Sequence, residues 1–215
     1  PGQSGTEILS VTVTDANNMT DEGTVTITST PQIIAQPFIL TTPFNHAVTG
    51  TLQAEGGTPP YTFMIVMPPE SGTISGMLPD FTYTPDSDYE GVDAFYYQVT
   101  DTDGNTDVAI VFIIIGEKLR LSDEILMGRF EAPLEFGLHW TGGEEPFTYT
   151  IGTPSHGTVT GTPPDLIYTP NLGFSGTDTF TISVEDSVGA TASALVTVQI
   201  NDPFTVATGD VGGFI

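Results

Sequence analysis

No cysteine occurs among the 215 residues, so no disulfide staples the chain and no thiolate is available for redox work or a cysteine zinc site. The same absence leaves two compartments open: the cytosol, or a bacterial or archaeal surface array whose cores are large enough without staples. Basic residues are nearly missing, with three Lys+Arg against 27 Asp+Glu and a formal net charge of −24. Gripping phosphates takes a basic footprint, so this balance excludes nucleic acid and anionic lipid head groups as partners. An acidic surface favours solubility, cations and high salt instead. Long apolar runs are lacking too. The longest, Val108 to Ile115, is eight residues, the length of a buried strand and well short of the about eighteen that read as a membrane span. Membrane insertion within this segment is therefore excluded. Neither an initiator Met nor a signal peptide precedes Pro1, so the chain reads as a mature product or a fragment.

What is present is one phrase said twice. Tyr83-Thr-Pro85 through Gly91-Val-Asp93-Ala-Phe95 returns 85 residues later as Tyr168-Thr-Pro170 through Gly176-Thr-Asp178-Thr-Phe180. Gly72-Thr73 matches Gly157-Thr158, Pro79-Asp80 matches Pro164-Asp165, and Gly104 matches Gly189. A repeat of this period marks a tandem array of one small domain. Between the turns, apolar residues alternate with polar ones at the strand period: Tyr61, Phe63 and Ile65; Phe95, Tyr97 and Val99; Ala109, Val111, Ile113 and Ile115. Short strands at close spacing, Gly/Pro turns and no helical period predict an all-β chain of antiparallel β-sandwiches of about seven strands each. The expected boundaries are 31–115 and 116–200 for two complete repeats. Residues 1–30 read as the last two strands of a preceding repeat, since Asp15 and Ile27 align with Asp101 and Ile113. Residues 201–215 read as the opening strand of a following one.

Pro154-x-x-Gly157-Thr-Val, Tyr168-Thr-Pro170, Gly176-Thr-Asp178-x-Phe180, Val184-x-Asp186 and the junction Asn201-Asp202-Pro203 together resemble the cadherin-like and immunoglobulin-like tandem repeats of large bacterial surface adhesins. The resemblance implies a long extracellular stalk of stacked sandwiches, often stiffened by calcium at its junctions. The two earlier junctions, Ser29-Thr30-Pro31 and Ile115-Gly116-Glu117-Lys118, depart from the Asn-Asp-Pro pattern.

Candidate sites follow from particular side chains. Asp101, Asp103, Asn105 and Asp107 put four oxygen-bearing side chains at alternate positions around Gly104, the kind of loop that supplies calcium ligands. The same Asp-Gly pair is also a hairpin turn signal, and the twin loop Asp186-Ser-Val-Gly189-Ala lacks the other carboxylates. Asp93 and Asp178 suit the acceptor role of a carboxylate where a loop enters a strand. Ser155-His156 is the one adjacent nucleophile–base pair, and its counterpart is Pro69-Glu70, so no catalytic constellation repeats. Trp140, the counterpart of Ala54, reads as core or as a sugar platform. Asn18-Met-Thr20 is a glycosylation sequon on an expected hairpin.

The repeats differ most on the face opposite the core. Thr150, Gly152, Thr181, Thr197 and Gln199 in the second correspond to Met64, Val66, Tyr96, Phe112 and Ile114 in the first. Such a patch marks a contact, either with residues 31–50 of the same chain or with a neighbouring repeat or identical subunit. The sequence thus points to a non-enzymatic structural or adhesive segment of an extracellular surface protein or fibre, with no cofactor required and calcium as an optional ion. A self-assembling filament or virion subunit, or an accessory module of a large secreted enzyme, are the alternatives.

Overall fold

The alternating segments form strands throughout, and no helix occurs in residues 5–29 and 31–201, which the computed structural model describes. The chain divides into two compact units, Pro1–Ile115 and Gly116–Ile215.

The first unit begins with a hairpin of β1 (Gly5–Thr14) and β2 (Thr20–Ser29), paired in register from Gly5↔Ser29 to Thr14↔Thr20. Asp15 Oδ1 accepts the N–H groups of Asn17 and Met19, both at 2.8 Å, and so closes the turn. Every residue of both strands is exposed.

A sandwich follows. Its strands are β3 (Ile34–Ala35), β4 (Phe38–Thr42), β5 (Val48–Thr51), β6 (Ala54–Glu55), β7 (Thr62–Met67), β8 (Gly72–Ser75), β9 (Asp80–Pro85), β10 (Gly91–Thr100) and β11 (Thr106–Ile115). One sheet runs β4-β11-β10-β7, the other β5-β9-β8, and β3 pairs with β6 in a two-residue ladder. Tyr83, Phe95, Tyr97, Val99, Val111 and Ile113 are fully buried between the sheets, and the Phe81 and Phe95 rings meet edge to face at 5.2 Å.

The second unit repeats the plan. Its strands are β12 (Arg120–Leu121), β13 (Glu124–Gly128), β14 (Leu134–Gly137), β15 (Trp140–Thr141), β16 (Thr148–Ile151), β17 (Gly157–Thr162), β18 (Asp165–Pro170), β19 (Gly176–Glu185) and β20 (Thr191–Ile200). The sheets are β13-β20-β19-β16 and β14-β18-β17, with β12 paired to β15. Tyr168, Ile182, Val184, Val196 and Val198 form its buried centre. Trp140 is half-buried and meets Phe147 and Tyr149 edge to face at 5.6 and 5.8 Å, so its ring belongs to the packing.

The sheets are not wholly antiparallel, as the strand pattern alone suggests. In each sandwich the second strand runs parallel to the last one: Phe38↔Val111 through Thr42↔Ile115, and Glu124↔Val196 through Gly128↔Ile200. In the first unit the reason is a change of sheet. β3 pairs with β6, Pro37 cannot donate to a ladder, and β4 resumes beside β11 in the other sheet. Except for Asn201, the expected opening strand 201–215 lies outside the described residues.

Candidate functional site

The duplicated phrase folds into a duplicated knot. Asp93 enters β10 with its carboxylate turned inward. Oδ1 accepts the backbone N–H groups of Glu70 (3.1 Å) and Ala94 (2.8 Å), and Oδ2 accepts that of Ser71 (3.0 Å) and the Tyr83 hydroxyl (2.8 Å). Asp178 repeats this with Ser155 (3.1 Å), Thr179 (3.0 Å), His156 (2.8 Å) and the Tyr168 hydroxyl (2.8 Å). The glycine of each Gly-Thr pair is required by closeness. A Cβ on Gly72 or Gly157 would lie 2.5 Å from the ring of Tyr83 or Tyr168. Burial, reinforced by the adjacent carboxylate, pushes both phenols well above the usual tyrosine range. At Asp178 burial pushes upward, but the Tyr168 hydroxyl and three backbone donors outweigh it and hold the carboxyl below its ordinary value.

A second knot closes the β10–β11 and β19–β20 turns. Asp101 Oδ1 accepts from the N–H groups of Asp103 and Asn105, and Oδ2 from Thr58 N–H and Asn105 Nδ2. Asp186 does the same with Val188, Ala190 and Glu144. The Asn105 side chain leads the groups that hold Asp101 below the usual carboxylate range against its burial.

The other side chains of the candidate cation loop also have partners within the protein. Asp103 Oδ2 accepts the Thr58 hydroxyl at 2.6 Å, and Asp107 Oδ2 accepts Ala35 N–H at 2.8 Å. Thr58 thus serves both Asp101 and Asp103, Asn105 bonds Asp101 directly, and Asp107 is engaged separately by Ala35. Among the described residues, no group of three or more His, Asp or Glu side chains is placed to hold a metal ion. Ser155 and His156 contribute main-chain N–H groups to Asp178, while the His156 ring stacks on Phe174 at 4.5 Å. The pair forms part of a structural knot, and that use accounts for its position. Asn18 sits in the exposed β1–β2 turn with φ of 62°, in a conformation that asparagine tolerates.

The remaining candidate is the outer face of the β4-β11-β10-β7 sheet. Met64, Val66, Tyr96, Phe112 and Ile114 are 37–57% exposed. Residues 31–50 do not cover them: Ile33 of that segment is buried in the sandwich core instead. Strand register extends the face with residues that sequence comparison had passed over. Phe112 stands between Ile39 and Ala94, Ile114 beside Val92, and Tyr96 beside Met67 at a bulge in the β10–β7 ladder. Val108 flanks Gln98, next to Met64. Ile39, Met67, Val92 and Val108 are all exposed. The signal for them was present in the strand alternation, but only pairing shows which strands are neighbours.

A bacterial Ig domain profile matches residues 30–114 and 139–199, more than half of the chain. No curated protein matches. Among solved structures, the human desmocollin-1 ectodomain is similar at 13% identity and a TM-score of 0.49, with 88% of this chain and 46% of that one covered. Mouse clustered protocadherin γC3 EC1-3 gives 13% identity and 0.41, with 93% and 77% covered. Titin domains I67–I69 give 11% and 0.43, with 80% and 66% covered. The chain thus spans less than half of the desmocollin ectodomain.

Proposed function

The chain belongs to the bacterial Ig domain family, and on that premise we propose that it is a non-catalytic segment of an extracellular stalk or fibre, built to carry tension. The observation that supports this most is the parallel pairing of β4 with β11 and of β13 with β20. Force applied to the two ends of a unit pulls β4 and β11, or β13 and β20, along each other. Five paired positions in each unit then resist together in shear, whereas an antiparallel end pair would open one rung at a time. The inward carboxylates tie loops to strands, which suits a scaffold rather than a reaction centre.

The β1–β2 hairpin supports the array. Glu7 occupies the place of Asp93, and Leu9, Val11, Val13, Val25 and Ile27 occupy core-facing places filled by Phe95, Tyr97, Val99, Val111 and Ile113. In the hairpin these five apolar side chains are 44–66% exposed. We read it as the closing pair of a further sandwich, completed by strands from outside residues 5–29.

Single-molecule stretching tests the mechanical reading. Two discrete events are expected, each releasing roughly 280–310 Å of extended chain, less the span of the folded unit, from about 3.3–3.6 Å per extended residue. Smooth extension without steps would falsify the reading.

A further inference from the structure

We propose that the outer face of the β4-β11-β10-β7 sheet is a self-association surface, on which a second copy of the chain docks the same face.

The first support is area. Nine large apolar side chains on this face are 37–61% exposed. Scaled at about 150 Å² per side chain, the low end of the range for an aromatic ring, they leave roughly 600–700 Å² of surface open to water. The largest patch on an ordinary monomer is about 300–600 Å². One partner's share of a standard stable interface is about 800 Å².

Charge selects the occupant. The outward positions of these four strands carry no Asp, Glu, Lys, Arg or His, in a chain whose net charge is −24. A basic partner would be drawn to the acidic remainder of the surface, because opposite charge steers association. A neutral apolar sheet face fits another neutral apolar sheet face. Two-fold pairing gives each copy that partner without setting carboxylate against carboxylate.

The edges select the mode. Pro37 and Pro43 bracket β4, and a bulge interrupts the β10–β7 ladder at Tyr96/Tyr97. Both features hinder addition of a further strand. Packing face to face, at about the 10 Å spacing of stacked sheets, uses the surface that remains. The second unit presents Thr181, Thr197 and Gln199 at the positions of Tyr96, Phe112 and Ile114 and keeps only Ile125, Met127 and Leu195 as large exposed apolar side chains beside them, so the first unit offers the larger pairing face.

Sedimentation velocity on the full chain tests this across a concentration series. The expected result is a mass that doubles with concentration, and more readily as salt screens the mutual repulsion of the acidic chains. F112T/I114Q installs the second unit's own residues and is expected to weaken the dimer by about tenfold or more. M64T is a second variant, on a different strand, with the same expected direction. Circular dichroism confirms that each variant is folded. A chain that stays monomeric up to roughly 0.1 mM overturns the proposal. So does a dimer that both folded variants retain, or one lost only on deletion of residues 1–29. Association with neutral lipid vesicles in place of dimerisation would assign the face to a different occupant and overturn it equally.

Discussion

In the first unit Tyr83 reaches Asp93 across Gly72; in the second, Tyr168 reaches Asp178 across Gly157, at the same 2.8 Å. On the outer faces of the corresponding sheets this agreement ends. Tyr96, Phe112 and Ile114 stand where the other unit has Thr181, Thr197 and Gln199. The inner matches are dictated by geometry, because a buried carboxylate must be met by donors and those donors must arrive from the same loops. The outer faces are free of that demand, so their difference records what each unit meets beyond its own core. Two copies of one fold thus separate the residues that make a sandwich from those that use it.

The comparison is most severely tested at the knots. Asp178→Ala strips the buried Tyr168 hydroxyl and the N–H groups of Ser155 and His156 of their acceptor. A loss of about 3–5 kcal/mol in the second unit is expected, since each buried donor left unpaired costs about 1–3 kcal/mol. Asp93→Ala should do the same to the first. Trp140 is the chain's one tryptophan and lies in the second unit, so its fluorescence isolates that unit in urea titrations, while far-UV circular dichroism follows both. If D93A moved the Trp140 midpoint as far as D178A does, the units would not be independent copies.

A smaller effect is expected from acid. The folded-state pKa of Asp178 lies below its unfolded value of about 3.9. Its stabilisation is therefore complete well above that value and is lost as pH falls through the folded pKa. Protonation of the other carboxylates relieves self-repulsion and works in the opposite direction, so the comparison with D178A isolates this group. The stability gap between wild type and D178A, read by Trp140 fluorescence, should hold between about pH 5 and 7 and narrow below about pH 4. A gap unchanged down to pH 2 would show that the hydroxyl and backbone donors do not discriminate between the carboxylate and its protonated form.

Much of this was legible in the chain because inward positions obey a period of two and the turns carry Gly, Pro and Asp. Phe95, Tyr97, Val99 and their second-unit counterparts were readable as core for that reason. The parallel β4–β11 pairing was not legible, since the direction of an edge strand depends on a change of sheet at Pro37 and leaves no mark on alternation. The role of the Asp101 loop was ambiguous for a different reason. A carboxylate that binds a cation and one that binds N–H groups need the same side chain in the same kind of turn, and Thr58, one of the donors Asp101 meets, lies 43 residues away. The outer patch was half visible: five of its residues emerged from comparing the repeats, and the other four only from strand register.

The finest test lies at a core position where the copies differ in chemistry. Tyr97 is matched by Ile182, and both are fully buried. The Tyr97 hydroxyl accepts Gln36 N–H at 2.9 Å and has the carbonyls of Gln53 (2.7 Å) and Gln36 (2.8 Å) within donating distance. It therefore holds the chain between β3 and β4 against the segment between β5 and β6, a tie that Ile182 cannot provide. Tyr97→Phe keeps the ring and removes the hydroxyl, and should cost the first unit about 1–2 kcal/mol in urea unfolding followed by circular dichroism, with the Trp140 transition unmoved. Because the tie lies beside the entry to β4, the same variant should lower the force of the first unit's unfolding event and leave that of the second unchanged. Equal force peaks in Y97F and wild type would show that the parallel β4–β11 ladder alone sets the mechanical threshold, with the hydroxyl contributing to equilibrium stability only.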